Sequence, residues 1–125
     1  MADTGYRSIE IFVSNDTAAD LSVQSATLNE SSTWIPGEEI ESAMVVEEFQ
    51  TVIWGAMTED EGAAVSGSVK LEGLGQSPVR IDFGNSLNGQ SSVIVTANDK
   101  VQGAVEEIES EEEKHSQFRV NLLLV

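Results

Sequence analysis

Alternation with a period of two residues runs through most of this chain, and it confines the fold to paired strands. Ile9, Ile11 and Val13 interleave with Ser8, Glu10 and Phe12. Val65, Val69 and Leu71 share one side of a segment whose other side carries Ser66, Ser68, Lys70 and Glu72. The pattern recurs at Leu21 and Val23, with Leu28 resuming the set after a bulge, at Val79, Ile81 and Phe83, and at Phe118, Val120, Leu122 and Leu124. Successive strand side chains point to opposite faces, so each set marks one buried side. Asn15-Asp16, Pro36-Gly37, Gly73-Leu74-Gly75, Gly84-Asn85, Asn88-Gly89 and Asn98-Asp99 separate the runs with turn chemistry. Short strands divided in this way predict an all-β chain, an antiparallel β-sandwich. Phe49, Phe83 and Phe118 lie in alternating runs and are expected in its core. The Glu-rich segment 105–115 also suits a helix, but a strand over Val101–Ile108 followed by an acidic turn keeps the alternation intact.

A chain of 125 residues holds material for one core, so residues 1–125 are expected to form a single domain. Its 22 acidic residues against 6 basic ones leave a net charge of -16, with nothing to neutralise a run of phosphates. Nucleic acid is therefore excluded as a partner, and adsorption onto anionic membranes is disfavoured. The same excess suits a saline habitat, where charge maintains solubility under screening. With no cysteine, disulfides, thiolate catalysis and zinc–thiolate sites are ruled out. His115 is the single histidine, and it lies in a polar stretch. Gly73-Leu74-Gly75 is too short for a dinucleotide loop and opens no helix. No nucleophile–base pair, metal-ligand set or phosphate loop emerges, so neither enzymatic activity nor a cofactor is expected.

The acidic runs 106–113 and 59–61 lack the ligand spacing of a calcium loop and read as solvated segments. The start of the chain has no basic n-region and no long apolar stretch, which predicts a cytoplasmic protein as made, with release by another route left open. Without a secretion signal, Asn15-Asp16-Thr17 and Asn29-Glu30-Ser31 read as chance glycosylation matches. Two segments are apolar on both faces: Val52 and Trp54 opposite Phe49 and Ile53, and Leu123 and Val125 beside Arg119 and Asn121. Such strands need a second cover, and pairing of sheets in a homo-oligomer through Val52, Trp54, Leu123 and Val125 is one solution. Trp34 precedes Ile35-Pro36-Gly37 in a polar loop, where an indole ring suits a membrane interface or a sugar.

The order of several short motifs resembles the aegerolysin family, most nearly its bacterial members related to a small Bacillus crystal protein. A first strand ends in the Asn-x-Thr turn Asn15-Asp16-Thr17, then come Trp34 and Pro36-Gly37. Next is Gly55-Ala56-Met57-Thr58-Glu59-Asp60-Glu61-Gly62, similar to the family's G-x-M-T-G-x-E-G loop. Phe83-Gly84-Asn85-Ser86-Leu87-Asn88-Gly89-Gln90-Ser91 stands where the family carries W-D-N-P-x-x-G-x-N, with Phe83 in place of Trp and Ser86 in place of Pro. The likeness covers about residues 6–95. It implies an actinoporin-like β-sandwich and a non-enzymatic, cytolysin-related protein that binds sphingolipid- or sterol-rich membranes, in some members with a larger pore-forming partner. The lipid contacts it implies are Trp34, Trp54, Met57, Phe83, Asn85, Leu87 and Asn88. A homo-oligomeric interaction module and a carbohydrate-binding module remain the alternatives.

Overall fold

The inward sets of the alternating runs become the two inner faces of a sandwich. The computed structural model describes residues 5–87, 90–108 and 114–125. Its strands are β1 (Arg7–Asp16), β2 (Leu21–Leu28), β3 (Thr33–Trp34), β4 (Val45–Val46), β5 (Thr51–Thr58), β6 (Val65–Glu72), β7 (Val79–Asn85), β8 (Ser91–Thr96), β9 (Val101–Ile108) and β10 (His115–Leu124). One sheet has the order β3-β5-β1-β10-β9 and the other β4-β2-β6-β7-β8. Between them lie Ile9, Ile11, Val13, Trp54, Phe118, Val120 and Leu122 from the first sheet, and Leu21, Val23, Val65, Val69, Leu71, Val79, Ile81 and Phe83 from the second.

The alternation therefore identified the buried side of β1, β2, β6, β7 and most of β10, and the acidic segment begins as strand β9. The bulge expected in β2 falls between Val23 and Ser25, where the pairing with β6 slips. It turns Ala26 and Leu28 back onto the core. At Gly67, the missing side chain leaves room for the Phe83 ring, whose Cε2 and Cζ lie 2.8 Å from where a Cβ would stand.

Three expectations are corrected. The sandwich is not purely antiparallel, because β1 and β10 pair in parallel, Ile11 beside Phe118 and Val13 beside Val120. Period-2 patterning assigns faces but carries no direction, and these two strands are joined by no short turn that would impose one. Phe49 is not in the core: it sits in the turn before β5 with φ +63° and is 69% exposed. Its backbone N–H donates to the Asn15 carbonyl (2.6 Å), and that turn geometry directs the ring into solvent. Leu124, in phase with Leu122, is 52% exposed as the last residue of β10, although its partner Val101 is fully buried.

The outer face of the first sheet is partly covered. After β3 the chain folds back over β5: Ile35 N–H donates to the Gly55 carbonyl (2.9 Å), and Gly55 N–H donates to the Glu38 carbonyl (3.1 Å). Ile35 is thereby fully buried outside the main core.

Candidate functional site

The strand registers bring several connections to one end of the sandwich. Arg7 opposes Thr58, Ser8 lies beside His115, and Thr33 opposes Met57. In the second sheet Val65 opposes Asn85, which in turn opposes Ser91. The two sheets are tied there by Asn85, whose Nδ2 donates to the Ser8 carbonyl (3.1 Å). Asn29 Nδ2 donates to the Ala64 carbonyl (3.0 Å), joining the β2–β3 and β5–β6 connections. Gly5 and Tyr6 before β1, the segments 29–32 and 59–64, Ser86, Leu87 and Gln90 after β7, and residue Lys114 thus share this end.

These are the connections that the motif order singled out, but the side chains divide sharply. Trp54 is 2% exposed, and Met57, Phe83 and Asn85 are buried as well, so none of the four offers a surface to lipid. Trp54 pairs with Ile11 and points inward with it. Asn85 is structural, spending its amide on the tie to β1. Trp34 is not in a loop: as half of the two-residue strand β3 it pairs with Ala56 and packs half-buried against the core. Leu87 is the apolar member that meets solvent, 57% exposed in the turn after β7, where Ser86 N–H and Oγ both donate to the Gln90 carbonyl at 3.0 and 2.9 Å. Asn88 lies outside the described residues.

The proposed oligomer contacts divide too. Val52 opposes the buried Val13 and packs on the core, so Val52 and Trp54 both face inward. Ile53, on the other face, is exposed beside Phe12 across the β1–β5 pair. Leu123 is half-buried on the outer face next to Asp16, and Val125 is exposed at the chain end. The strands are apolar on both faces as expected, with the parity at Trp54 opposite to the one an interface needs.

The acidic loop after β5 is held by its own backbone: Asp60 N–H donates to Thr58 Oγ1 (3.2 Å), and Gly62 N–H donates to Asp60 Oδ1 (2.9 Å). Of the acidic run 106–113, Glu106 pairs with Arg119 (2.8 Å) on the exposed edge, and residues 109–113 lie outside the described residues. Neither N-x-[ST] asparagine is a free surface amide. Asn15 is buried, and Asn29 bonds Ala64 and Ser32.

Sequence reasoning passed over a basic cluster at the same end. Arg7 is 4% exposed although it carries a full charge. Its Cζ lies 5.6 Å from the Tyr6 ring centroid, and Lys114 Nζ lies 4.4 Å from the same centroid. His115 follows, its Nδ1 2.9 Å from Ser8 Oγ. The signal was present in the alternation, since Arg7 is in phase with Ile9, Ile11 and Val13 and so belongs to the inward set.

On the outer face of the second sheet lies an open hollow of about 480 Å³, bordered by Thr27, Ser66, Ser68, Asp82 and Ile94. The Arg80–Asp82 ion pair (2.9 Å) crosses it. Its lining holds one aromatic ring, Phe83, and that ring is buried, so no stacking platform for a sugar is exposed there.

No family model matches the chain, and no curated protein matches it in sequence. Two solved structures are similar over nearly the whole length. The RahU protein in complex with a TRIS molecule has a TM-score of 0.71 at 13% identity, covering 95% of this chain and 94% of that one. IP-1A from Alcaligenes faecalis has a TM-score of 0.67 at 13% identity, covering 97% of this chain and 94% of that one. Identity this low speaks to architecture, and the chain has the aegerolysin-like β-sandwich fold.

Proposed function

We propose that this protein is a non-enzymatic lipid-binding sandwich that meets sphingolipid- or sterol-rich membranes with its loop end. The observation that carries the reading is the convergence there of Leu87, exposed at a turn tip, with the half-buried Trp34 and the cations Arg7 and Lys114. An apolar tip beside polar and cationic groups suits the boundary between headgroups and acyl chains. The charge of -16 opposes anionic surfaces, so the bilayer is a zwitterionic one. On this reading a larger pore-forming protein is the partner such a platform would recruit.

Co-sedimentation with liposomes of varied sphingolipid and sterol content, at low and high salt, tests it. Selective binding is expected, reduced about tenfold or more by Leu87→Asp and less by Trp34→Ala, because Trp34 is already half withdrawn into the core. Absence of binding at every salt concentration overturns the reading.

A second reading rests on a different observation. Phe12 and Ile53 adjoin on the uncovered part of the first sheet's outer face, and a second copy could cover them. Sedimentation equilibrium giving a monomer at high micromolar concentration rejects a homo-oligomer.

A further inference from the structure

We propose that Arg7, together with Lys114 beside the same Tyr6 ring, forms a binding site for a phosphate-class oxyanion at the loop end of the sandwich. Arg7 occupies an inward position of β1 and is 4% exposed. Its Nε is sealed from solvent and meets no acceptor, and no carboxylate among the described residues pairs with it. The other two arginines are each ion-paired, Arg80 with Asp82 and Arg119 with Glu106, in exposed settings where pairing matters least. With 22 acidic residues available, the arginine most removed from water is the one left without a described acidic partner.

A cation withdrawn from water is unfavourable unless an opposite charge meets it. The planar guanidinium offers parallel donors that match two oxygens of an oxyanion. A second cation is held beside it by the backbone: Ser8 N–H donates to the Lys114 carbonyl (2.7 Å), so the start of β1 carries Lys114 along with Arg7. Both cations lie against the Tyr6 ring, at 5.6 and 4.4 Å, an attraction that holds them there without neutralising either. Two cations at one ring favour a phosphate group, with its several charged oxygens, over a single carboxylate. Inorganic phosphate, a phosphate monoester and the phosphate of a lipid headgroup share the required chemistry. The inference stands apart from the lipid reading, since it requires the oxyanion and not the bilayer.

The test follows the Arg7 Nε–Hε resonance of the full chain in ¹H–¹⁵N spectra during titration with inorganic phosphate, against chloride at equal ionic strength. A saturable shift is expected, with affinity reduced about tenfold in Lys114→Ala and binding lost in Arg7→Met. Lys114 is exposed, so its variant keeps the test valid if Arg7→Met fails to fold. A parallel titration uses dihexanoylphosphatidylcholine below its micellar concentration. A shift with this lipid alone assigns the site to headgroup phosphate, and a shift with both assigns it to phosphate in general. A resonance unmoved by either, or affinity unchanged in Lys114→Ala, overturns the proposal. Phosphate binding without liposome binding rejects the lipid function and leaves this site standing.

Discussion

Gly55 lies directly beneath Glu38, and the space that a side chain at 55 would take is filled by the Glu38 carboxyl and the Ile35 methyl. A Cβ there would stand 2.5 Å from Glu38 Oε1 and 2.8 Å from Ile35 Cδ1. The backbone closes the same contact through the Gly55–Glu38 hydrogen bond. Gly55 is thus a place of close approach rather than a turn.

Gly55→Ala is therefore expected to lift the 35–38 segment from β5 and destabilise the protein by about 1–3 kcal/mol, the usual cost of overpacking. Urea denaturation checks the value. Protease cleavage within 35–41 should also become faster, since the buried Ile35 is released with the segment.

The same contact makes stability depend on pH. Burial, a hydrogen bond toward Glu10 and the negative charges of Glu10 and Glu39 push the Glu38 carboxyl up to about 7. Glu10 opposes Gly55 across the β1–β5 pair, and its carboxylate accepts from Gln117 Nε2 (3.3 Å). A raised pKa means that the folded chain holds a proton the unfolded chain gives up. The contribution is fully present below about 4.5 and is lost as pH rises through about 7. Melting curves should show Glu38→Gln gaining stability relative to the parent as pH goes from 4.5 to 8; parallel curves would reject the assignment.

Asn15 should prove structural. Its Nδ2 donates to the Ala19 and Val46 carbonyls (2.7 and 2.8 Å), while its Oδ1 accepts from Thr17 N–H and Oγ1 (3.1 and 2.6 Å). Asn15→Ala strands these buried groups and is expected to cost at least about 2 kcal/mol by chemical denaturation. Asn15→Asp keeps the acceptor but turns an oxygen toward two carbonyls, so it should rescue little of the loss at neutral pH.

Phe49 should yield the opposite result. A bulky residue at φ +63° is strained, and its ring contributes no burial to offset that. Phe49→Gly is expected to stabilise the fold by about 0.5–1 kcal/mol in urea, unless the ring serves a contact outside the chain. A stabilised variant that still binds liposomes would place the membrane contact at the Leu87 end.

Periodicity alone identified the faces of β1, β6, β7 and most of β10, because pleating ties side-chain direction to residue parity. The connections around Trp34, 54–62 and 83–89 were singled out by the motif order that resembles the aegerolysin family, not by periodicity. Neither could say which of their residues face outward. Trp54, Phe83 and Asn85 went inside because the pairing of β5 with β1 and of β7 with β6 fixes their parity, and register is a property of two strands. The parallel pairing of β1 and β10 was equally beyond reach, since it joins residues more than a hundred positions apart. The basic cluster shows the division most clearly: the phase of Arg7 with Ile9 was written in the sequence. Only the folded chain brings Lys114 to the same aromatic ring and leaves the guanidinium enclosed, because closing the sandwich removes water without supplying a described carboxylate.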